Sequence, residues 1–392
     1  MHALNPVFLP GPTNLPESLR RACDIPTMDH RSAAFGPILA SAMAGVKQVL
    51  HLSEGEVAIF PATGTGGWEA AITNTLRPGD KVLAARHGMF SRKWIDLCQR
   101  HGLDVEIVER PWGEGVPVEA FAAALAADKS HEIRAVLVTH NETATGVTSD
   151  VAAVRAVMTA ARHPALLMVD GVSSIGSIDF RMDAWGVDLA VTGSQKGFML
   201  PAGLAIVGIS PKALAAMETA GLPRCFFDIR DMLGGNYPYT PPVGLINGLA
   251  VSTGLLIEEG MESVRARHHR IAEGVRRAVA AWGMTTCAAR PELCSDTVTA
   301  IVTPDGVDAG RIVRHAAEAY GVAFGGGLGE VAGKVFRIGH LGLMSDVMAL
   351  SGIATAEMAM TDLGLPVRLG SGVAAAQEHY RNSKTAPVRA AA

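Results

Sequence analysis

The chain has 392 residues, 48% of them hydrophobic and 18% charged, with 43 glycines; this is the balance of a folded globular protein, too long for one ordinary core, and it excludes a disordered chain. A formal net charge of −4 leaves no basic surplus to match a phosphate backbone, so nucleic acid is not expected as a partner. The five cysteines, Cys23, Cys98, Cys225, Cys287 and Cys294, are odd in number and scattered without a C-x-x-C pair, which reads as reduced thiols of a cytoplasmic protein with no disulfide framework and no metal site.

In chain order, residues 1–16 form an extended Pro/Gly-rich arm, "MHALNPVFLPGPTNLP", whose four prolines and lack of a basic start are unlike a signal peptide. From residue 17, short apolar strands alternate with amphipathic helices. "EVAIF" (56–60) leads to a helix from Trp68, "KVLAA" (81–85) to a helix from Ser91, and "VEIVE" (105–109) to a helix from Val118. "AVLVTH" (135–140) precedes "DVAAVRAVMTAA", and "ALLMVD" (165–170) precedes two more apolar runs, Leu189 to Val191 and Leu204 to Ile209. Such alternation predicts an α/β fold with a large, mainly parallel sheet covered on both faces and ligands beyond the carboxyl ends of its strands. "VGLINGLAVSTGLLI" (243–257) is too short to cross a bilayer and is expected as a core helix, so no membrane partner is expected. From residue 263 the texture changes to a long helix, a strand "TVTAIVTP", a helix near 309–320, a strand "VFRIGH" and a last helix after Asp346. The predicted division is the arm at 1–16, a large domain at 17–262, a smaller C-terminal α+β domain at 263–385 and a frayed tail at 386–392.

Four stretches could carry chemistry. "DLAVTGSQKGFMLPAGLAIVGIS" (188–210) places Lys196 between two runs that read as buried strands. Burial penalises an ammonium, so the lysine is either a partly neutral nucleophile or a loop residue whose head reaches water. "FPATGTGGWEAAI" (60–72) reads as strand, glycine-rich turn and helix; free N–H groups with the hydroxyls of Thr63 and Thr65 can hold one phosphate, or the glycines serve only the turn. "LLMVDGVSSIGS" (166–177) ends a strand with Asp170, able to pair with a cationic ring nitrogen or simply to cap a turn. "KVFRIGHLG" (334–342) carries Arg337 in an apolar strand, where a guanidinium grips a carboxylate or forms a structural ion pair. "GGGLG" (325–329) reads as a loop, and the histidines of "RHHR" (267–270) as solvated on a charged helix and not metal ligands. Together, a phosphate-binding turn, an aspartate, a lysine and a carboxylate-gripping arginine are the parts needed to hold pyridoxal phosphate and an amino acid.

The sequence resembles the class V branch of fold-type I pyridoxal-phosphate enzymes, and within it the serine–glyoxylate and alanine–glyoxylate aminotransferases. The likeness runs over nearly the whole chain, through "PGPTNLP", "DHRS", "TGTGGWEAA", "NETATG", "DGVSSIGS", "GSQKGFMLPAGL", "YPYTPPVGLINGL" and "FRIGHLG". The resemblance implies that Lys196 holds the cofactor and later carries a proton, and that Asp170 pairs with the pyridinium nitrogen. It further implies that Thr63, Gly64, Thr65 and Gln195 meet the phosphate, that Phe90 stacks on the ring where relatives often carry tryptophan, and that Thr143 faces the ring hydroxyl. Arg337 would bind the substrate α-carboxylate. Tyr237 and Thr240 would reach the phosphate of a neighbouring subunit, which implies a homodimer with shared active sites.

The implied activity is transamination of glyoxylate to glycine with a small amino-acid donor, serine, aspartate or alanine, which leaves as its 2-oxo acid. Aspartate would need a second cation, and Arg31 in "DHRS" could supply it or serve a structural ion pair. Two other enzyme classes compete. A lyase or desulfurase on the same scaffold would use a mobile-loop cysteine, and "GGGLGEVAGK" (325–334) supplies none. A nucleotide-dependent oxidoreductase would need the dinucleotide glycine fingerprint, which the glycine turns lack. A binding module without catalysis would have no need to retain Lys196, Asp170 and Arg337.

Overall fold

Alternate residues of a strand point to opposite faces, and the central strands supply apolar side chains on both. The computed structural model describes residues 6–383 apart from residue 236. Helices α1 (Glu17–Cys23) and α2 (Phe35–Leu50) precede strand β1 (Glu56–Phe60), followed by α3 (Gly64–Thr73), β2 (Lys81–Arg86), α4 (Met89–Arg100), β3 (Asp104–Glu109), α5 (Val118–Ala127) and β4 (Ile133–Thr139). A short two-stranded finger, β5 (Asn141–Glu142) and β6 (Val147–Thr148), leads to α6 (Val151–Ala160), β7 (Leu166–Asp170), β8 (Leu189–Gly193), β9 (Ala205–Ile209) and α7 (Pro211–Met217). After α8 (Val243–Glu259) and α9 (Met261–Ala281) come β10 (Thr285–Thr286), β11 (Val298–Val302), α10 (Ala309–Tyr320), β12 (Gly325–Gly326), β13 (Val335–Gly339), α11 (Asp346–Asp362) and α12 (Ser371–Asn382).

Seven strands form one sheet in the order β1-β9-β8-β7-β4-β2-β3. From β3 through β8 neighbours run parallel, and β9 runs against both β8 and β1. Strand β7 shows how the sheet is clamped: Leu167 and Val169 enter the core shared with α2, α6 and α8, while Leu166 and Met168 enter the core shared with α3, α4 and α7. Each such buried side chain contributes about 1.5–3 kcal/mol. Because β1, β2, β4, β7 and β8 share one direction, their carboxyl ends open on the same edge of the sheet, where an open α/β fold gathers its ligands.

A second antiparallel sheet, β10-β11-β13-β12, has its own core with residues of α9 to α12, including Phe336, Ile338, Val275 and Ile353. The arm belongs to this core. Phe8 is fully buried in it, its N–H donates to Ala323 O at 2.9 Å, and its carbonyl accepts from Gly339 N at 2.7 Å.

Several expectations need correction. Helix α3 starts at Gly64, not Trp68; the glycines are its first turn, and a Cβ on Gly64 or Gly67 would strike Val172 or Val191, so they let the helix lie close on its neighbours. The stretch 325–329 is not all loop, because Gly325 and Gly326 pair with Arg337 and Phe336. The last helix is two, separated at a turn where Gly364 and Gly370 take positive φ. In "RHHR", His269 is exposed, but Arg267 and His268 are buried. Arg267 pairs with Glu259 at 2.7 Å; His268 donates from Nδ1 to Val264 O and accepts the Gly342 N–H on Nε2. Burial pushes that imidazole down to about 3, so it is neutral. Helix α8 buries Ile246, Leu249 and Leu256 but exposes Val251 and Ile257. The expected domain boundary at 262/263 falls in the first turn of α9, and the expected tail at 386–392 lies outside the described residues. Among the described residues no helix is long and apolar enough to cross a membrane, and no cluster of three His, Cys, Asp or Glu side chains could hold a metal ion.

Candidate active site

Eight candidates of the large domain stand at that one sheet edge. Thr63, Gly64 and Thr65 follow β1, Phe90 follows β2, Thr143 follows β4, Asp170 ends β7, and Gln195 and Lys196 follow β8. At the β1 end, Thr63 is the extended N-cap of α3 and makes no side-chain cap, so the first N–H groups of the helix remain free for an anion. Gln195 Oε1 is buried without a partner, and a Cβ on Gly193 would fill the space between it and the Gly64 N–H. This uncapped helix start fits a phosphate group; the Gln195 Oε1 can only accept, so the side chain would turn its Nε2–H₂ toward that anion.

Lys196 is held in place by its loop. Ser194 Oγ donates to Pro201 O at 2.7 Å and accepts from Leu204 N at 3.1 Å, closing the turn between β8 and β9. The arm covers the lysine from the other side: Lys196 Nζ donates to Pro10 O at 2.5 Å, Thr13 N donates to Gln195 O, and any side chain at Gly11 would run into Lys196. Burial, helped by the Arg337 charge and opposed by Asp170, lowers the lysine to about 8. Asp170 is 4% exposed. Burial raises its carboxyl to about 7, Glu142 adds to the rise, and the Val172 N–H, a 3.0 Å donor, and Lys196 oppose it. An aspartate held in this state gains when a cation is placed against it.

Arg337 reaches the same place from the small sheet. Its Nε donates to Gly326 O at 2.9 Å and its Nη1 to Thr143 O at 3.0 Å, across 194 residues of chain. Nη2 has no hydrogen bond among the described residues, so a fixed guanidinium keeps one edge for a carboxylate. Burial lowers it to about 10, with Glu142 opposing. Gly325 makes the room, since a Cβ there would crowd Arg337.

Two residues of the site had no role assigned from sequence, although both lie in the quoted stretches. Glu142, in "NETATG", is fully buried and accepts from the N–H groups of Phe90 and Ser91 at 3.0 Å and of Ala144 at 3.1 Å. It therefore caps α4 and sets the start of the helix that carries Phe90. Burial raises its carboxyl. Ser173, in "DGVSS", bonds Thr143 Oγ1 at 2.8 Å. Other candidates are placed differently. Tyr237 donates its hydroxyl to Ile59 O of its own chain at 2.7 Å, whereas Thr240 is exposed. Arg31 is exposed and its side chain makes no ion pair among the described residues; its N–H donates to Asp29 Oδ1. The structural ion pair considered for it is not formed among the described residues.

Comparison with known proteins agrees with this geometry. A sequence model of the family described as "Aminotransferase class-V" matches residues 21–336. The chain is 69% identical to the L-aspartate–glyoxylate aminotransferase of Paracoccus denitrificans (strain Pd 1222), over 100% of both chains. It is 52% identical to the serine–glyoxylate aminotransferase of Hyphomicrobium methylovorum, over 97% of this chain and 95% of that one. Among solved structures, the pyridoxamine–pyruvate aminotransferase from Mesorhizobium loti superposes with a TM-score of 0.91 at 31% identity, covering 97% of this chain and 98% of that one. Matched over most of its length by the family model and nearly end to end by these relatives, the chain belongs to the aminotransferase class-V family, and pyridoxal phosphate is the cofactor that its residues fit.

Proposed function

We propose that this protein transfers an amino group from a small amino acid to glyoxylate, forming glycine, with aspartate the preferred donor over serine and alanine. The observation that carries the proposal is the meeting of Lys196, Asp170, Thr143 and Arg337 at one sheet edge in a chain 69% identical over its full length to an aspartate–glyoxylate aminotransferase. When bound, the cofactor supplies an electron-poor ring that draws charge from the substrate α-carbon. Thr63, Gly64, Thr65 and Gln195 hold its phosphate, Phe90 covers one face of the ring, and Asp170 keeps a proton on the ring nitrogen. Lys196 carries the cofactor covalently. Its lowered basicity leaves a useful share of neutral amine near neutral pH, and the freed amine moves a proton at the α-carbon. Arg337, immobilised through Nε and Nη1, orients the carboxylate of donor and acceptor in turn.

Two copies sharing their sites are part of the same proposal. Thr63 and Thr65 stand exposed, α8 presents Val251 and Ile257, and Phe226 stacks on Tyr239 at 4.5 Å while itself 46% exposed. Exposed apolar groups of this kind suit a subunit contact. Thr240 would meet the neighbouring phosphate directly, and Tyr237 would first release Ile59 O. A cytoplasmic location accords with five unpaired cysteines.

The purified protein loaded with pyridoxal phosphate tests the proposal. Its visible band should bleach with aspartate more readily than with serine or alanine and return with glyoxylate. A protein that stays colourless in pyridoxal phosphate, or that bleaches with none of the three donors, discards it. Light scattering should give twice the 40.9 kDa of one chain, and a monomer would remove the shared site.

A further inference from the structure

The hydroxyl groups around Thr143 can be counted proton by proton. Ser173 Oγ lies 3.0 Å from the backbone carbonyl of Asn141, 2.8 Å from Asn141 Nδ2 and 2.8 Å from Thr143 Oγ1. A hydroxyl has one hydrogen to give and two lone pairs to accept with. The carbonyl can only accept, so the single Ser173 hydrogen goes to it. The two lone pairs of Ser173 then receive Asn141 Nδ2–H and the Thr143 hydroxyl hydrogen. Turning the Asn141 amide over would demand a second hydrogen from Ser173, so the count also fixes the amide. In the orientation it keeps, Nδ2 donates as well to Thr297 Oγ1 at 3.0 Å and Oδ1 accepts from Thr148 Oγ1 at 3.1 Å. Ser173, Asn141, Thr143 and Thr297 are buried and Thr148 is half-buried, and in such a network a donor turned away from its acceptor is costly.

We infer that Ser173 is a positioning residue that takes the only hydroxyl hydrogen of Thr143, so that Thr143 meets the ring hydroxyl of pyridoxal phosphate as a hydrogen-bond acceptor and not as a donor. The inference rests on the proposed place of Thr143 beside that hydroxyl. An acceptor there keeps the proton on the ring oxygen, whereas a donor would stabilise the oxygen as an anion. Charged groups around the spot are Glu142, Asp170, Lys196 and Arg337, with neutral His140 behind Ser174 and Lys93 over the Phe90 ring. None of them is altered by the substitutions that follow.

The test is a pH titration of the absorption spectrum of the loaded protein, without substrate, for the wild type, Ser173→Ala and Thr143→Val. In Ser173→Ala the freed Thr143 hydrogen turns to the ring oxygen. The spectral midpoint should then fall by about one pH unit, the size expected of a hydrogen bond to a charged group, so that at a fixed pH near the midpoint the yellow protonated form gives way to the near-ultraviolet deprotonated one. Thr143→Val removes the acceptor alone and should lower the midpoint by less. A rise of the midpoint in Thr143→Val, or no change in it, overturns the inference, as does an unchanged Ser173→Ala spectrum. Thr143→Val decides alone if Ser173→Ala does not load. A wild type that never turns yellow with pyridoxal phosphate instead overturns the proposed function, which separates the two failures.

Discussion

At the phosphate end of the site, Thr63 and Thr65 stand exposed and the ligand would be held by N–H groups of one helix start. At the lysine end, Lys196, Asp170, Glu142 and Arg337 are packed together, with Lys196 and Arg337 pushed down and both carboxyls pushed up mainly by burial. Several weak, water-facing donors share the load in the first case, so losing one is tolerated. In the second, few charges act in a poorly screened interior, where each loss leaves the others unbalanced. Substitutions at the two ends should therefore differ by orders of magnitude.

Lys196→Ala should be the most severe, lowering turnover by more than about 10³-fold because covalent attachment and proton transfer are lost together; steady-state transamination measures it, and a near-normal rate would remove Lys196 from its role. Asp170→Asn should cost about 10²–10³-fold in turnover. The same variant tests burial in the cofactor-free protein. Asp170 titrates near 7 in the fold against an ordinary 3.8, so the folded state holds a proton that the unfolded chain releases. Its contribution to stability is present below about pH 4 and is lost as pH rises through 7. Lys196, near 8 against an ordinary 10.5, acts in a higher window, where stability recovers as pH rises from 8 to 10.5. Urea midpoints at pH 5 and 7.5 should show the first slope in the wild type and not in Asp170→Asn; an equal slope in both would assign it elsewhere.

Arg337→Lys should raise the donor KM by about 10–100-fold, since an ammonium cannot keep both carbonyl contacts and still offer a flat edge. Saturation curves with the amino donor would show this, and an unchanged KM would move the carboxylate to another partner. Thr63→Ala is expected to weaken cofactor binding by only about 2–10-fold, the worth of one hydrogen bond at an exposed position, measured by fluorescence titration of the apoprotein. A loss as large as that of Asp170→Asn would erase the contrast between the two ends.

Much of this arrangement was legible in the chain. Runs such as "ALLMVD" and "KVLAA" locate strands because apolar, branched residues bounded by turns have few other places to go, and Asp170 and Lys196 are visible as charges at the ends of such runs. The glycines of 64–67 read as a turn before the helix, because local propensity places glycine outside helices, while here close packing of Gly64 and Gly67 on Val172 and Val191 demands them inside. His268 differs from expectation for a related reason. A histidine on a charged helix looks wet until the 342 loop, 74 residues away, is folded against it.

The sequence by itself determined the α/β alternation and the strand ends that bear Asp170 and Lys196, because these follow from periodicity and spacing within a few residues. Only the tertiary structure decided that Glu142 caps the helix of Phe90, that the Pro10 carbonyl covers Lys196, that Arg337 is held by Thr143, and that Ser173 takes the Thr143 hydrogen. Each of these depends on which groups lose water and which partners they find instead, across 30 to 194 residues of chain, and burial of that kind leaves no local pattern.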